Sequence, residues 1–219
     1  MIILVLSCDK NEDIFEPFYK CMEKYWVNHP KIIYATETIR NPYYETICIN
    51  EPLEKWTKRI RQTLDKINED KILLMIDDCF IRNYVDTERV KYAESILKGN
   101  IALINFEKSF DSNDIDTIFN GFKKRNHPSE YELSLLCGMW QKSALKQILK
   151  EDSDPWQVEY KQNTCNYTYL INSGDYIIDF GYYYMQPANL LKGKWCKEII
   201  PFFEKEGIVI DYEKRGFYN

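Results

Sequence analysis

Two adjacent carboxylates, Asp77 and Asp78, stand directly after the apolar run Leu73-Leu74-Met75-Ile76. Charge at the end of a buried strand is costly unless it is paired, solvated or bound to a cation. Hard oxygen ligands of this kind suit Mg²⁺ or Mn²⁺ holding a diphosphate. The ordinary alternative is that one carboxylate caps a turn and the other faces water. A second polar group, Ser7-Cys8-Asp9-Lys10, follows the first apolar run at 2–6; its ordinary alternative is a capped turn into a helix. A third candidate is Glu159, in Trp156-Gln157-Val158-Glu159 after the polar loop 151–155. A loop carboxylate beside a tryptophan can act as a general base with a raised pKa. Its ordinary alternative is an acidic residue at a helix start.

Other chemistries find little support. Neither a GxxxxGK[ST] loop nor a GxGxxG fingerprint occurs, so the familiar phosphate cradles are not indicated. There are only two histidines, His29 and His127, each followed by proline. A His-rich metal site is excluded, and a Ser/His/Asp triad has few candidates. The seven cysteines, Cys8, Cys21, Cys48, Cys79, Cys137, Cys165 and Cys196, are scattered with no CxxC pair. That suggests neither a zinc cage nor a disulfide framework, and fits reduced thiols in a cytoplasmic setting. The formal charge of −5, with Lys123-Lys124-Arg125 as the one basic run of note, argues against general nucleic-acid binding. It argues equally against an electrostatic membrane anchor.

The elements that must position these residues alternate. Apolar runs at 2–6, 31–35, 44–49, 71–76 and 101–106 read as strands. Helical spacing marks 14–27, 53–67 and 87–97, the last with Gly99 as its stop. Residues 1–6 lack a basic flank and read as a first strand, not a signal peptide. The order β-α-β-β-α-β-α-β predicts an α/β domain on a largely parallel sheet. In such sheets ligands bind at the carboxyl ends of strands, where Ser7-Cys8-Asp9 and Asp77-Asp78 fall. The second half is less regular. Residues 133–139 read as a strand or buried turn and 140–150 as a helix. Residues 167–171 and 176–179 read as a β-pair around Ser173-Gly174, 193–204 as a short helix bent at Pro201, and 208–210 as a last strand. At 219 residues with 45% hydrophobic content, one domain is expected, or at most two small ones. No stretch approaches the ~18 apolar residues of a membrane span.

Taken in order, these motifs resemble a family of small bacterial glycosyltransferases of the GT-A type. The resemblance is carried by Ile3-Leu4-Val5-Leu6-Ser7-Cys8-Asp9-Lys10, then Tyr25-Trp26, then Trp56-Thr57-Lys58-Arg59. It continues through Leu74-Met75-Ile76-Asp77-Asp78-Cys79-Phe80, Trp140-Gln141-Lys142-Ser143-Ala144-Leu145, Trp156-Gln157-Val158-Glu159 and Gly193-Lys194-Trp195. It implies a single GT-A-like, Rossmann-like domain, with a nucleotide-sugar-binding half at 1–106 and an acceptor-side half at 107–219. It implies transfer of a sugar from a nucleotide diphosphate donor to a glycan or lipid-linked acceptor hydroxyl, with inversion, in cell-surface polysaccharide assembly. Peripheral association with a membrane-borne acceptor follows from the same likeness. By similarity Ser7, Cys8 and Asp9 would meet the base and ribose. Asp77 and Asp78 would hold the diphosphate through a divalent cation, Mn or Mg, and Glu159 would be the acceptor-side base. Arg59, Lys192 and Lys194 are candidate cationic partners of the diphosphate. Many such enzymes add a later histidine ligand; none lies beyond His127 here, which leaves the cation to carboxylates and water, or the diphosphate to lysines. Trp56, Trp140, Trp156 and Trp195 fall within the matched motifs and could stack on sugar or base. Two other readings stand beside this one. A nucleotidyltransferase would normally show a glycine-rich loop after the first strand. A non-catalytic nucleotide- or glycan-binding module would tolerate loss of Glu159.

Overall fold

The first apolar run forms β1 (Ile2–Leu6), and all five of its residues are buried. Its side chains alternate between two cores, as a strand covered on both faces requires. Ile3 and Val5 join one apolar cluster, and Ile2, Leu4 and Leu6 join the other. The first cluster is covered by α1 (Phe15–Tyr25) and α3 (Thr87–Ile96), the second by α2 (Trp56–Asp65) and α4 (Lys142–Ile148). The computed structural model describes residues 1–109, 111–126, 133–160, 166–181 and 189–218, with the Tyr160 side chain left aside. His127 and Cys165 lie outside the described residues.

The remaining strands are β2 (Ile32–Thr36), β3 (Glu45–Cys48), β4 (Lys71–Ile76), β5 (Ile101–Lys108), β6 (Ile115–Asp116), β7 (Phe122–Lys124), β8 (Cys137–Gln141), β9 (Thr168–Asn172), β10 (Leu190–Leu191) and β11 (Lys194–Trp195). The remaining helices are α5 (Pro155–Tyr160) and α6 (Ile200–Glu206). One nine-stranded sheet runs β3-β2-β1-β4-β8-β5-β9-β7-β6, and β10 and β11 form a separate hairpin. The chain is thus an α/β fold with helices over both faces, and its first eight strands and helices follow the expected order.

The sheet is mixed rather than largely parallel. β3, β2, β1 and β4 are parallel neighbours. β8 then inserts antiparallel between β4 and β5, and β7 pairs antiparallel with β9. Gly138 lets β8 fit there. A Cβ on it would lie 2.7 Å from Leu103 Cδ1 and 3.3 Å from the Ile104 carbonyl.

Other expectations for the second half need correction. Trp140 belongs to β8, and the helix starts only at Lys142. Residues 176–179 are not a strand. They tuck under the segment after β4, where Arg82 N–H donates to the Asp179 carbonyl and Asp86 N–H to the Ile177 carbonyl. Residues 208–210 pair with no strand, and residues 190–195 form the β10–β11 hairpin ahead of α6. Among the described residues no helix is long and apolar enough to cross a membrane.

Candidate functional site

Register brings the candidate residues to one edge of the sheet. Leu6 pairs with Ile76, Met75 with Cys137, and Asn105 with Gly138. The residues that follow β1 and β4, the last residues of β5, and those that precede β8 therefore share one rim. Ser7, Asp77 and Asp78, Leu135 and Glu107 stand there in spatial order. β8 separates β4 from β5, so the ends of these two strands on the rim lie two strand spacings apart, about 10 Å.

At the first end Asp77 is buried, and both its oxygens are occupied. Ser7 Oγ donates to Oδ2 at 2.5 Å, and Asn11 Nδ2 lies 3.0 and 2.9 Å from Oδ1 and Oδ2. Burial pushes its pKa up to about 6, against the lowering effect of those two donors. Asp78 is partly buried. Burial, reinforced by the charge of Asp77, pushes it up to about 7. Its carbonyl accepts from Asn189 Nδ2 at 2.6 Å. Its carboxylate accepts from its own backbone N–H and from no side-chain donor among the described residues. The pair is therefore divided: Asp77 organises the loop after β1, and Asp78 keeps free hard oxygens.

Asp78 suits a divalent cation that completes its shell with phosphate oxygens and water. Among the described residues no three His, Cys, Asp or Glu side chains gather to hold an ion. A cation shared with a bound diphosphate fits this donor set, and a prebuilt protein cage does not.

The loop after β1 is tied on its other side to β2. Asp9 accepts from Thr38 N–H (2.9 Å), Thr38 Oγ1 (2.5 Å) and Ile39 N–H (3.0 Å). Its own N–H donates to Glu37 at 2.6 Å. Burial acts to raise Asp9, but these donors outweigh it and hold the carboxyl below its ordinary value. Ser7 is buried with its hydroxyl on Asp77, and Cys8 is partly exposed, with its thiol pushed up by burial and by Asp77. Of the three, Cys8 is the one whose side chain is not committed to this loop framework.

The expected cations are placed differently from one another. Arg59 is buried in α2; its Nη1 pairs with Glu37 and its Nη2 donates to the Ser7 carbonyl at 3.0 Å. It braces the loop from behind. Lys192 and Lys194 are exposed on the β10–β11 hairpin, and Lys192 Nζ lies 6.0 Å from the Tyr218 ring. The guanidinium whose charge acts on both Asp77 and Asp78 belongs instead to Arg215, a residue the sequence reading did not single out.

At the other end of the rim Glu159 sits on α5. Two features place that helix. Val158 is buried in the second core. Asp154 Oδ1 caps the start by accepting Gln157 N–H at 2.8 Å, while Thr57 ties residues 151 and 153 to α2. Glu159 Oε1 accepts Leu135 N–H at 2.7 Å. Burial pushes Glu159 up to about 7, with the charge of Glu107 adding to it. Glu107 lies where the β5–β9 register shifts. Burial raises it too, against hydrogen bonds from the Ser134 and Asn105 side chains. Glu107 was missed in the sequence. The available signal was a lone acid at the carboxyl end of an apolar strand.

The tryptophans divide as well. Trp56, Trp140 and Trp195 are buried core residues and not stacking platforms, whereas Trp156 is 60% exposed.

The chain matches no protein-family model and no curated protein sequence. Solved structures are similar to it in layout. They include the 2-C-methyl-D-erythritol 4-phosphate cytidylyltransferase of Thermus thermophilus (TM-score 0.48, 11% identity, covering 85% of this chain and 93% of that one). The bifunctional IspDF of Campylobacter jejuni has a TM-score of 0.45 at 12% identity, over 80% of this chain and 50% of its own. The galactosyltransferase LgtC, in complex with donor and acceptor sugar analogs, has a TM-score of 0.42 at 14% identity, over 69% of this chain and 60% of its own. The chain thus spans only half of IspDF. These are likenesses of fold, and they divide between glycosyltransferases and cytidylyltransferases.

Proposed function

We propose that the protein is a glycosyltransferase that moves a sugar from a nucleoside diphosphate donor to an acceptor hydroxyl. The observation that carries this reading is Glu159, a carboxylate held near neutral pKa on the Leu135 N–H, in the segment that leads into β8 beside the end of β4 and Asp78. A nucleotidyl transfer onto a sugar phosphate attacks with a phosphate oxygen that is already ionised and has no need of such a group. A hydroxyl acceptor does need it. A site with one end for a diphosphate and the other for removing a proton favours sugar transfer.

In this reading residues 1–106 form the donor half and 107–219 the acceptor half of one domain. The loop after β1, with Ser7, Cys8 and Asp9, faces the nucleoside, and Asp78, positioned beside Asp77, faces the diphosphate. A divalent cation, Mn or Mg, held at Asp78 would neutralise charge on the departing diphosphate. Lys192 and Lys194 are candidate cationic partners of the diphosphate. Glu159 accepts the acceptor's hydroxyl proton as its oxygen bonds to the anomeric carbon. The bond from that carbon to the diphosphate oxygen breaks with its electron pair, and a nucleoside diphosphate leaves. A single displacement of this kind inverts the anomeric centre. The acceptor class is a glycan or lipid-linked glycan. A membrane-borne acceptor would be met at the rim, in the cytoplasm, without a basic anchor.

Calorimetric titration of a panel of nucleoside diphosphates, with Mn²⁺ or Mg²⁺ present, tests this. At least one should bind, and Asp78→Ala should weaken it by about tenfold or more. A wild-type protein that binds none of them would overturn the reading.

A further inference from the structure

Asp77 is linked through Asn11 to a residue far along the chain. Arg215 is largely buried, with 8% of its side chain exposed. Its Nε donates to Asp13 Oδ2 at 2.7 Å and its Nη2 to Asp13 Oδ1 at 2.5 Å. The same Nη2 lies 3.0 Å from the Lys10 carbonyl and 3.0 Å from Asn11 Oδ1. With its Oδ1 engaged, the Asn11 amide presents Nδ2 to both oxygens of Asp77. A continuous chain of hydrogen bonds therefore runs Arg215, Asn11, Asp77, Ser7.

The segment carrying Arg215 is itself fixed. Asp211 caps the turn Tyr212–Lys214, accepting from Glu213 N–H at 3.1 Å. Gly216, at φ +64°, turns back so that its N–H reaches the Tyr212 carbonyl at 2.8 Å. Trp195 N–H then donates to the Gly216 carbonyl at 3.0 Å, and Tyr218 N–H to the Trp195 carbonyl at 2.9 Å. The guanidinium lies 6.0 Å from the Trp195 ring. Trp195 is wholly buried, so the segment is anchored in the core, and Arg215 carries its hydrogen bonds to the loop after β1.

We propose that Arg215 is a positioning residue of the donor site: its planar fork fixes Asn11, Asn11 occupies Asp77, and Asp78 is thereby left as the carboxylate of the pair with no side-chain donor. The proposal rests on the reading of Asp78 as the diphosphate's partner. It also makes a claim about the unliganded protein. A fork of several N–H donors in one plane is what Lys cannot supply. Charge alone is therefore not the function.

Arg215→Lys and Arg215→Gln, with hydrogen–deuterium exchange and nucleoside diphosphate titration in Mn²⁺, test this. Lys retains the ion pair with Asp13, which protects the fold, and unchanged exchange in β1 and β4 verifies it. Both variants should speed exchange at residues 9–14 and weaken the nucleoside diphosphate, each by about tenfold. Asp78→Ala should weaken the ligand without speeding exchange at 9–14. Unchanged exchange at 9–14 overturns the proposal. So does faster exchange with unchanged affinity, which would make Arg215 a purely structural brace. A Lys variant that matches wild type in both measurements also overturns it, since charge would then suffice. If the wild type binds no nucleoside diphosphate, the donor reading has failed on its own. The exchange data then decide whether Arg215 organises the Asp77 loop.

Discussion

The rim carries two pairs of carboxylates built in opposite ways. Asp77 and Asp78 are neighbours in sequence, and the framework divides them by giving the side-chain donors Ser7 and Asn11 to Asp77 and none to Asp78 among the described residues. Glu107 and Glu159 come from β5 and α5, far apart in the sequence. They meet on consecutive residues, Ser134 and Leu135, of the segment before β8. Burial raises all four. In the first pair the result is a free, hard oxygen ligand. In the second, each carboxylate has a neutral donor, and the charge of Glu107 raises Glu159 further. One arrangement suits holding charge and the other suits moving a proton.

The strongest way to break that contrast is Glu159→Gln. The side chain keeps an oxygen for the Leu135 N–H and loses the capacity to take a proton. Turnover should fall by about 10²–10⁴, while nucleoside diphosphate affinity stays within about twofold of wild type. Single-turnover kinetics beside calorimetry would separate the two. If affinity fell with turnover, the two ends of the rim would not have the separate roles assigned to them.

The sequence singled out both members of the first pair but only Glu159 of the second, for a physical reason. Asp77 and Asp78 end a continuous apolar run, and an open sheet puts ligands at such ends. Glu107 becomes a site residue only because β8 runs antiparallel between β4 and β5 and so brings residues 134–135 to the same rim. No local pattern encodes that insertion. The alternation of strands and helices to residue 108 was readable because each element has its own hydrophobic period. The later segments, short or irregular, lack one. Arg215 was invisible because its partners, Lys10, Asn11 and Asp13, lie at the opposite end of the chain. The four tryptophans looked alike because a core ring and a ligand-facing ring are the same letter; burial alone distinguishes Trp195 from Trp156.

Stability against pH sharpens the contrast with a smaller effect. Glu159 has an ordinary value of 4.5 in the unfolded chain and about 7 in the fold. Between those limits the folded protein binds a proton that the unfolded chain has released, so stability from this group falls as pH rises through the window. The melting temperature should therefore be higher near pH 5 than near pH 7.5, and Glu159→Gln should flatten that slope by several degrees. Equal slopes for wild type and variant, by calorimetry in buffers of matched ionic strength, would show that Glu159 is not held protonated at its end of the rim. Turnover should rise with pH through about 7 as the same group ionises.

The smallest effect is expected at Trp156, on the same helix as Glu159 and one turn before it. Residues three apart on a helix are surface neighbours, and this ring is 60% exposed, so it is available to stack on a sugar ring presented to Glu159. A stacking contact of this kind is worth about 1 kcal/mol. Trp156→Ala should therefore raise the acceptor KM by about fivefold and leave the donor KM and the melting temperature unchanged. Because the ring buries little against the core, an unchanged melting temperature separates this role from packing. A rise in donor KM instead would move Trp156 to the Asp78 end and erase the division between the two pairs.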